Sequence, residues 1–337
     1  FYPPYAVYAK RGKGSRIWDV DGNERIDYCF NYLTLILGHA HPKVTKAIME
    51  QLKHGTVLGQ PTEAEVKFAE KITNVVPCAE MVRFSVTGTE AIMHAIRAAR
   101  AYTGRDKIVM FEGSYHGTSD SVVVKDSANP SEGIPQGIAE NSITTPFNNI
   151  EAFEKTLTKL KSETAAVLME PFLGVGGMIG PNSDFLKAVR ELTEKYDILL
   201  ILDEVMSGFR LALGGAQEFF GVKPEMAVFG KVVTGGLPGS VITGSKEIME
   251  KVFSFPSNSS FVPSKPRLSL SGTHNANPLS MVAGLATIEE LKPSVYEYIN
   301  EIAEYLRCSI TKICSDLGVK TQVAGLGSLF HVYFTDR

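Results

Sequence analysis

The sequence is short of everything that marks a membrane, secreted or polyanion-binding protein. No apolar run approaches the roughly 18 residues of a membrane-spanning helix. Four cysteines in 337 residues (Cys29, Cys78, Cys308, Cys314) form no C-x-x-C pair and are too sparse for a disulfide framework. A reducing cytoplasm is therefore the expected compartment. Neither sign of charge dominates: 34 Lys and Arg stand against 37 Asp and Glu, a net charge of −3, which leaves no basic face for nucleic acid. No G-x-G-x-x-G follows an early strand. The nearest text, Gly174-Val175-Gly176-Gly177-Met178-Ile179-Gly180, has one residue too many and follows a middle strand. There is no G-x-S-x-G elbow and no Walker loop. His39-x-His41 has no third metal ligand at helical spacing, so packing of that loop is the simpler reading and no metal is expected. The chain starts at Phe1 rather than Met and stops in a strand-like run, Gly327–Phe334. It reads as trimmed at both ends, so the lack of a leader decides nothing.

What is present is ordinary globular usage, 44% hydrophobic and 21% charged, in a chain long enough for about two domains. Short strands with an Asp21-Gly22-Asn23 turn fill residues 7–30, and a helical period starts at Pro42. From about 65 to 250, apolar runs (Met81–Val86, Lys107–Phe111, Ala165–Met169, Ile198–Leu202, Met226–Phe229) alternate with helical stretches such as Glu90–Tyr102, Ile150–Leu160 and Asp184–Tyr196. That alternation predicts an α/β fold with a mostly parallel sheet covered on both faces. The expected division is 1–52 and 281–337 as a smaller α+β domain from both chain ends, around a large α/β domain over 53–280. Residues 126–141, rich in Gly, Pro, Ser and Asn, read as a mobile surface loop able to close over a site.

In such sheets, ligands bind beyond the carboxyl ends of the strands. Thr87-Gly88-Thr89-Glu90 follows the first run and opens a helix, which suits a phosphate cup or a plain N-cap with an acidic first turn. Tyr115-His116 between Gly113 and Gly117 can stack on a planar ring or be an ordinary loop. Asp203-Glu204 ends five aliphatic residues and needs a cation or a donor, a salt bridge and an N-cap being the alternatives. Lys231, after Gly230 and before Thr234–Gly239, is a surface lysine or a buried amine that attacks a carbonyl. Taken together, these signals match the needs of pyridoxal phosphate: a phosphate anchor, a ring clamp, an anion for the pyridine nitrogen and an amine for the aldehyde.

The ordered set resembles the class III (fold type I) pyridoxal-phosphate aminotransferases almost end to end. The motifs are Leu37-Gly38-His39-Ala40-His41-Pro42, Gly88-Thr89-Glu90-Ala91, Tyr115-His116-Gly117, Glu170-Pro171, Asp203-Glu204-Val205 and Ser271-Gly272-Thr273. Glu204–Arg210 followed by Gly214-Gly215-Ala216-Gln217 reads most like the glutamate-1-semialdehyde 2,1-aminomutase subgroup. The resemblance implies a seven-stranded sheet and pyridoxal 5′-phosphate, with pyridoxamine 5′-phosphate as its intermediate form. It implies Lys231 as the Schiff-base lysine and Asp203 on the pyridinium nitrogen, both catalytic. Val205 and Tyr115 take the two ring faces, His116 adjoins the ring, and Thr87, Gly88 and Thr89 hold the phosphate. Thr273 reaches the phosphate of a neighbouring subunit in a homodimer. Asn31, Tyr32 and Glu170 meet a small amino or keto substrate, although Asn31-Tyr32 replaces the subgroup's Ser-Trp and Leu33-Thr34 its Gly-Pro. The subgroup's carboxylate-binding arginine falls upstream of Phe1 and a substrate-site glutamate beyond Arg337. An aminomutase making 5-aminolevulinate for tetrapyrroles, an ω- or β-amino acid transaminase, an amino acid racemase and a non-enzymatic regulator on the same fold all stay open.

Overall fold

The computed structural model describes residues 6–123, 132–253, 268 and 270–335. Near the start, β1 (Ala9–Lys13), β2 (Arg16–Asp19) and β3 (Glu24–Ile26) form an antiparallel sheet. The β2–β3 turn carries Gly22 at φ +89, and the Asp19 carboxylate accepts the Asn23 backbone N–H at 2.8 Å. Seven strands follow: β4 (Met81–Ser85), β5 (Lys107–Phe111), β6 (Ser142–Thr145), β7 (Thr164–Met169), β8 (Leu199–Glu204), β9 (Met226–Phe229) and β10 (Ser240–Gly244). They pair in the order β4-β10-β9-β8-β7-β5-β6, and β10 alone runs against its neighbours. The hairpin β11 (Gln322–Leu326) and β12 (Leu329–Tyr333) closes the described chain.

The pleat divides the sheet's side chains between two cores. Val109, Phe111, Val167, Met169, Leu200, Leu202, Ala227 and Phe229 join one cluster with Phe68, Phe153, Phe185 and Ile288. Their neighbours Ile108, Met110, Ala166, Leu168, Leu199, Ile201, Met226 and Val228 join the other with Ala91, Ile92, Ala95 and Ile96. Burial on both faces is why these strands are near-continuous apolar runs. The helices covering the first face are Glu63–Val75, Ile150–Leu160, Phe185–Lys195 and Pro278–Glu290, and Gly88–Thr103 with Lys246–Phe253 cover the second. No described helix is long and apolar enough to cross a membrane. Of the expected closing loop 126–141, residues 126–131 lie outside the described residues. The rest includes a short helix, Gln136–Ala139, leading into β6.

Candidate active site

Strands β4, β9, β8, β7 and β5 are parallel, so their carboxyl ends share one edge of the sheet. Five of the sequence-predicted segments stand there. After β4, Thr87 caps the 16-residue helix Gly88–Thr103, its hydroxyl accepting the Glu90 N–H at 3.1 Å while Glu90 Oε2 accepts the Val86 N–H at 2.8 Å. The cap is real. It also leaves the Gly88 and Thr89 N–H groups and the positive end of the helix dipole facing the strand ends, where an anion is stabilised. The Ser240 hydroxyl fixes this turn from β10 by donating to the Thr87 carbonyl at 2.8 Å.

Asp203 is buried, and β8 includes it rather than stopping before it. Its Oδ2 lies 2.7 Å from His116 Nδ1, and its Oδ1 accepts the Val205 N–H at 3.0 Å. His116 is therefore buried against the carboxylate instead of lying beside Tyr115 as a second stacking ring. Its Nε2 is buried without a hydrogen-bond partner. Tyr115, in contrast, is half-exposed, and Glu170 Oε1 holds its backbone N–H at 2.7 Å. Glu170 Oε2 accepts a second N–H, from Gly174, at 3.0 Å. Burial pushes Glu170 up to about 7. The Asp203 charge adds to this, and His116 and the two N–H groups oppose it.

Val205 is wedged between two glycines. A methyl added at Gly88 or at Gly230 would come within 3.1 Å of Val205 Cγ1, so both backbones press on this side chain. The ends of β4, β8 and β9 thus meet over one residue. Lys231 follows Gly230 and opens the 3₁₀ turn Lys231–Thr234 at φ +51, a left-handed conformation that costs a lysine about 1–2 kcal/mol. Its amine is held below the usual lysine range by burial, with Arg210 acting in the same direction and Asp203 and Glu170 against it. Lowered basicity is what a nucleophilic or proton-shuttling lysine needs. Thr89 joins in through its hydroxyl, which accepts the Thr118 N–H at 3.3 Å and leaves no room for a side chain at Gly117.

Not everything predicted gathers here. Thr273 is exposed and lines a separate groove of about 1000 Å³, among whose lining residues neither Asp203 nor Lys231 appears. Asn31 and Tyr32 sit in an unusual turn: Phe30, Asn31, Tyr32 and Leu33 all have positive φ. Arg210 ends the Glu204–Arg210 motif, and the sequence alone assigns it no role. It is buried, and donates to the Leu33 and Leu35 carbonyls at 3.1 and 2.7 Å. An arginine after an aliphatic strand, with no acidic residue at helical spacing, was the available signal.

A low-basicity amine and a buttressed carboxylate thus stand at adjacent strand ends, beside the N-terminus of a long helix that favours an anion. Comparison with known proteins agrees in class. The family model for class-III aminotransferases matches residues 2–337, and the chain belongs to that family. The glutamate-1-semialdehyde 2,1-aminomutase of Methanosphaera stadtmanae is 44% identical over 100% of this chain and 78% of its own length. Among solved structures, an omega-transaminase from Sphaerobacter thermophilus superposes with a TM-score of 0.92 at 40% identity, covering 100% of this chain and 78% of that one. A transaminase with PLP bound gives 0.93 at 38%, covering 100% and 79%.

Proposed function

We propose that the chain is a pyridoxal 5′-phosphate-dependent aminomutase converting glutamate-1-semialdehyde to 5-aminolevulinate. The 44% identity to an aminomutase over the whole chain supports this substrate assignment. The observation that carries the cofactor assignment is the convergence of Asp203, Val205 and Lys231 under the start of helix Gly88–Thr103.

The residues present fit the cofactor. Thr87, Gly88 and Thr89 would hold its phosphate, Val205 and Tyr115 its two ring faces, Asp203 its ring nitrogen and Lys231 its aldehyde carbon. When bound, it supplies a sink that withdraws electrons from the amine-bearing carbon of the substrate and carries the amino group in transit. The chain supplies the rest. Asp203, oriented by His116 Nδ1 and the Val205 N–H, presents a fixed negative charge that keeps a ring nitrogen protonated. Lys231 moves the proton, taking it from one carbon and returning it to another, and the lowering of its basicity by burial favours the uncharged amine that such a transfer starts from. Glu170 fixes the backbone of Tyr115 and of Gly174, and with its carboxyl at about 7 it is only partly charged during turnover. Asn31 and Tyr32 are assigned to the substrate. The enzyme is read as a cytoplasmic homodimer, with Thr273 serving the neighbouring subunit's phosphate; its exposure away from Lys231 supports that role.

A second reading, transfer of an amino group from an amine to a separate keto acid, is favoured by the 40% identity to an omega-transaminase. The pyridoxamine form of the enzyme distinguishes them. Given glutamate-1-semialdehyde alone it should release 5-aminolevulinate over many turnovers. Turnover only with a paired amine and keto acid would establish the second reading instead.

A further inference from the structure

The segment Phe30–Leu33 is a single turn of left-handed helix built without glycine. All four residues lie between φ +45 and +67, a conformation unfavourable for residues with a Cβ, so the surroundings must impose it. Both ends are held. At the start, Asp27 Oδ1 accepts the N–H groups of Cys29 and Phe30, each at 2.9 Å, and Asp27 Oδ2 lies 2.8 Å from His39 Nε2. Within it, Cys29 Sγ accepts the Tyr32 N–H at 3.3 Å and the Cys29 carbonyl accepts that of Leu33 at 2.8 Å. At the end stands Arg210, whose Nη2 donates to the Leu33 and Leu35 carbonyls. This guanidinium is buried, and no carboxylate among the described residues is paired with it. Burying an arginine on carbonyls alone is costly and calls for a purpose.

Its position indicates one. Arg210 lies seven residues beyond Asp203, in a loop fixed by the Tyr296 hydroxyl, which donates to the Phe209 carbonyl at 3.0 Å. Leu35, one of the two carbonyls it grips, packs its side chain against Gly236 just past the Lys231 turn. Thr34, Leu35, Val232 and Gly235 line one small cavity between the segments. The same guanidinium is close enough to Lys231 to help depress its basicity.

We infer that Arg210 is a positioning residue: it pins the carbonyl end of the left-handed turn to the Asp203 loop, keeping Asn31 and Tyr32 in register with Lys231 and so setting substrate selection. What is selected rests on the proposed function; the pinning does not. The test uses full-length holoenzyme in a Cys308→Ser, Cys314→Ser background, so that Cys29 reports the turn through its alkylation rate. Arg210→Met should speed Cys29 alkylation about tenfold and lower kcat/KM for the semialdehyde about 10- to 100-fold through KM, the scale of one charged hydrogen bond. Arg210→Lys should recover part of both. Tyr32→Ala should add little on top of Arg210→Met, because both act through one element. Wild-type alkylation in both Arg210 variants, full additivity with Tyr32→Ala, or a loss confined to kcat overturns the inference. Failure of the wild type to turn over the semialdehyde would count against the proposed function alone, since alkylation and the amine/keto-acid kinetics still read the turn.

Discussion

Asp203 and Glu204 are consecutive carboxylates of one strand, and the pleat sends them to opposite sides. Counting along β8, Leu199 and Ile201 face the second core, so Asp203 shares that side with Val205, while Glu204 follows Leu200 and Leu202. Asp203 thereby meets His116 and the strand-end site. Glu204 instead accepts the Ala216 N–H, the Gln217 N–H at 3.1 Å and the Gln217 side-chain amide at 3.0 Å, and anchors the following loop. The difference separates a prediction about rate from one about stability. Asp203→Asn should retain cofactor but lose about 10²- to 10³-fold in kcat, the scale of one preorganised electrostatic contact; unchanged kcat would refute its role. Lys231→Ala should abolish both turnover and the visible absorbance of lysine-linked cofactor, read in one spectrum. Glu204 predicts stability rather than rate. Burial raises its carboxyl to about 7 from an ordinary 4.5, so between those pH values the unfolded chain has released a proton that the fold retains. Stability should fall as pH rises through that window, by up to roughly 3 kcal/mol from this group. Glu204→Gln should remove its share and leave that of Glu170; denaturation at pH 5 and 7.5 with an unchanged difference would contradict the assignment.

At the scale of elements, legibility depended on burial. Strands β5, β7, β8 and β9 were visible as apolar runs because both their faces are covered, whereas β6, Ser-Ile-Thr-Thr at the sheet edge, carries no such run. β10 is buried, but Ser240, Thr243 and Gly244 leave only Val241 and Ile242 as an apolar run, and it follows a glycine-rich stretch that reads as loop. The capping sequence Thr87–Glu90 announced a helix start, and structure and sequence agree there because the cap is local chemistry. The left-handed turn could not be read in advance: in Phe-Asn-Tyr-Leu only Asn31 visits positive φ readily, and for its three neighbours the conformation is imposed by Asp27 and Arg210 from elsewhere in the chain. The role of His116 was hidden for the same reason, since its partner lies 87 residues away. The contact between elements that matters most is Gly88 on Val205. Gly88→Ala would drive a methyl to 3.1 Å from both Val205 methyls and displace the residue assigned to the ring face. Fold stability should change by no more than about 1–2 kcal/mol, as in mild overpacking, while cofactor affinity falls about tenfold. Equal cofactor affinity in this variant and the wild type would sink the packing argument.

At the scale of the whole molecule, the placement of Thr273 makes the strongest demand. It is exposed, it lines a groove with residues 57–62 and 271–278, and it stands apart from the Asp203–Lys231 pair of its own chain. If it serves the site of a second copy, each site takes Lys231 from one chain and Thr273 from the other. Two crippled variants then repair one another. Thr273→Val and Lys231→Ala should each be weak or inactive as homodimers. After mixing under mild denaturant and return to native buffer, the hybrid contains one site with both defects and one with neither. Random assortment makes half the dimers hybrid, so activity should recover to about a quarter of the wild-type value. Repair by this route requires that the two residues of one working site come from different chains, which no monomeric arrangement can imitate. Activity that stays at the mean of the two separate variants would instead return Thr273 to its own subunit.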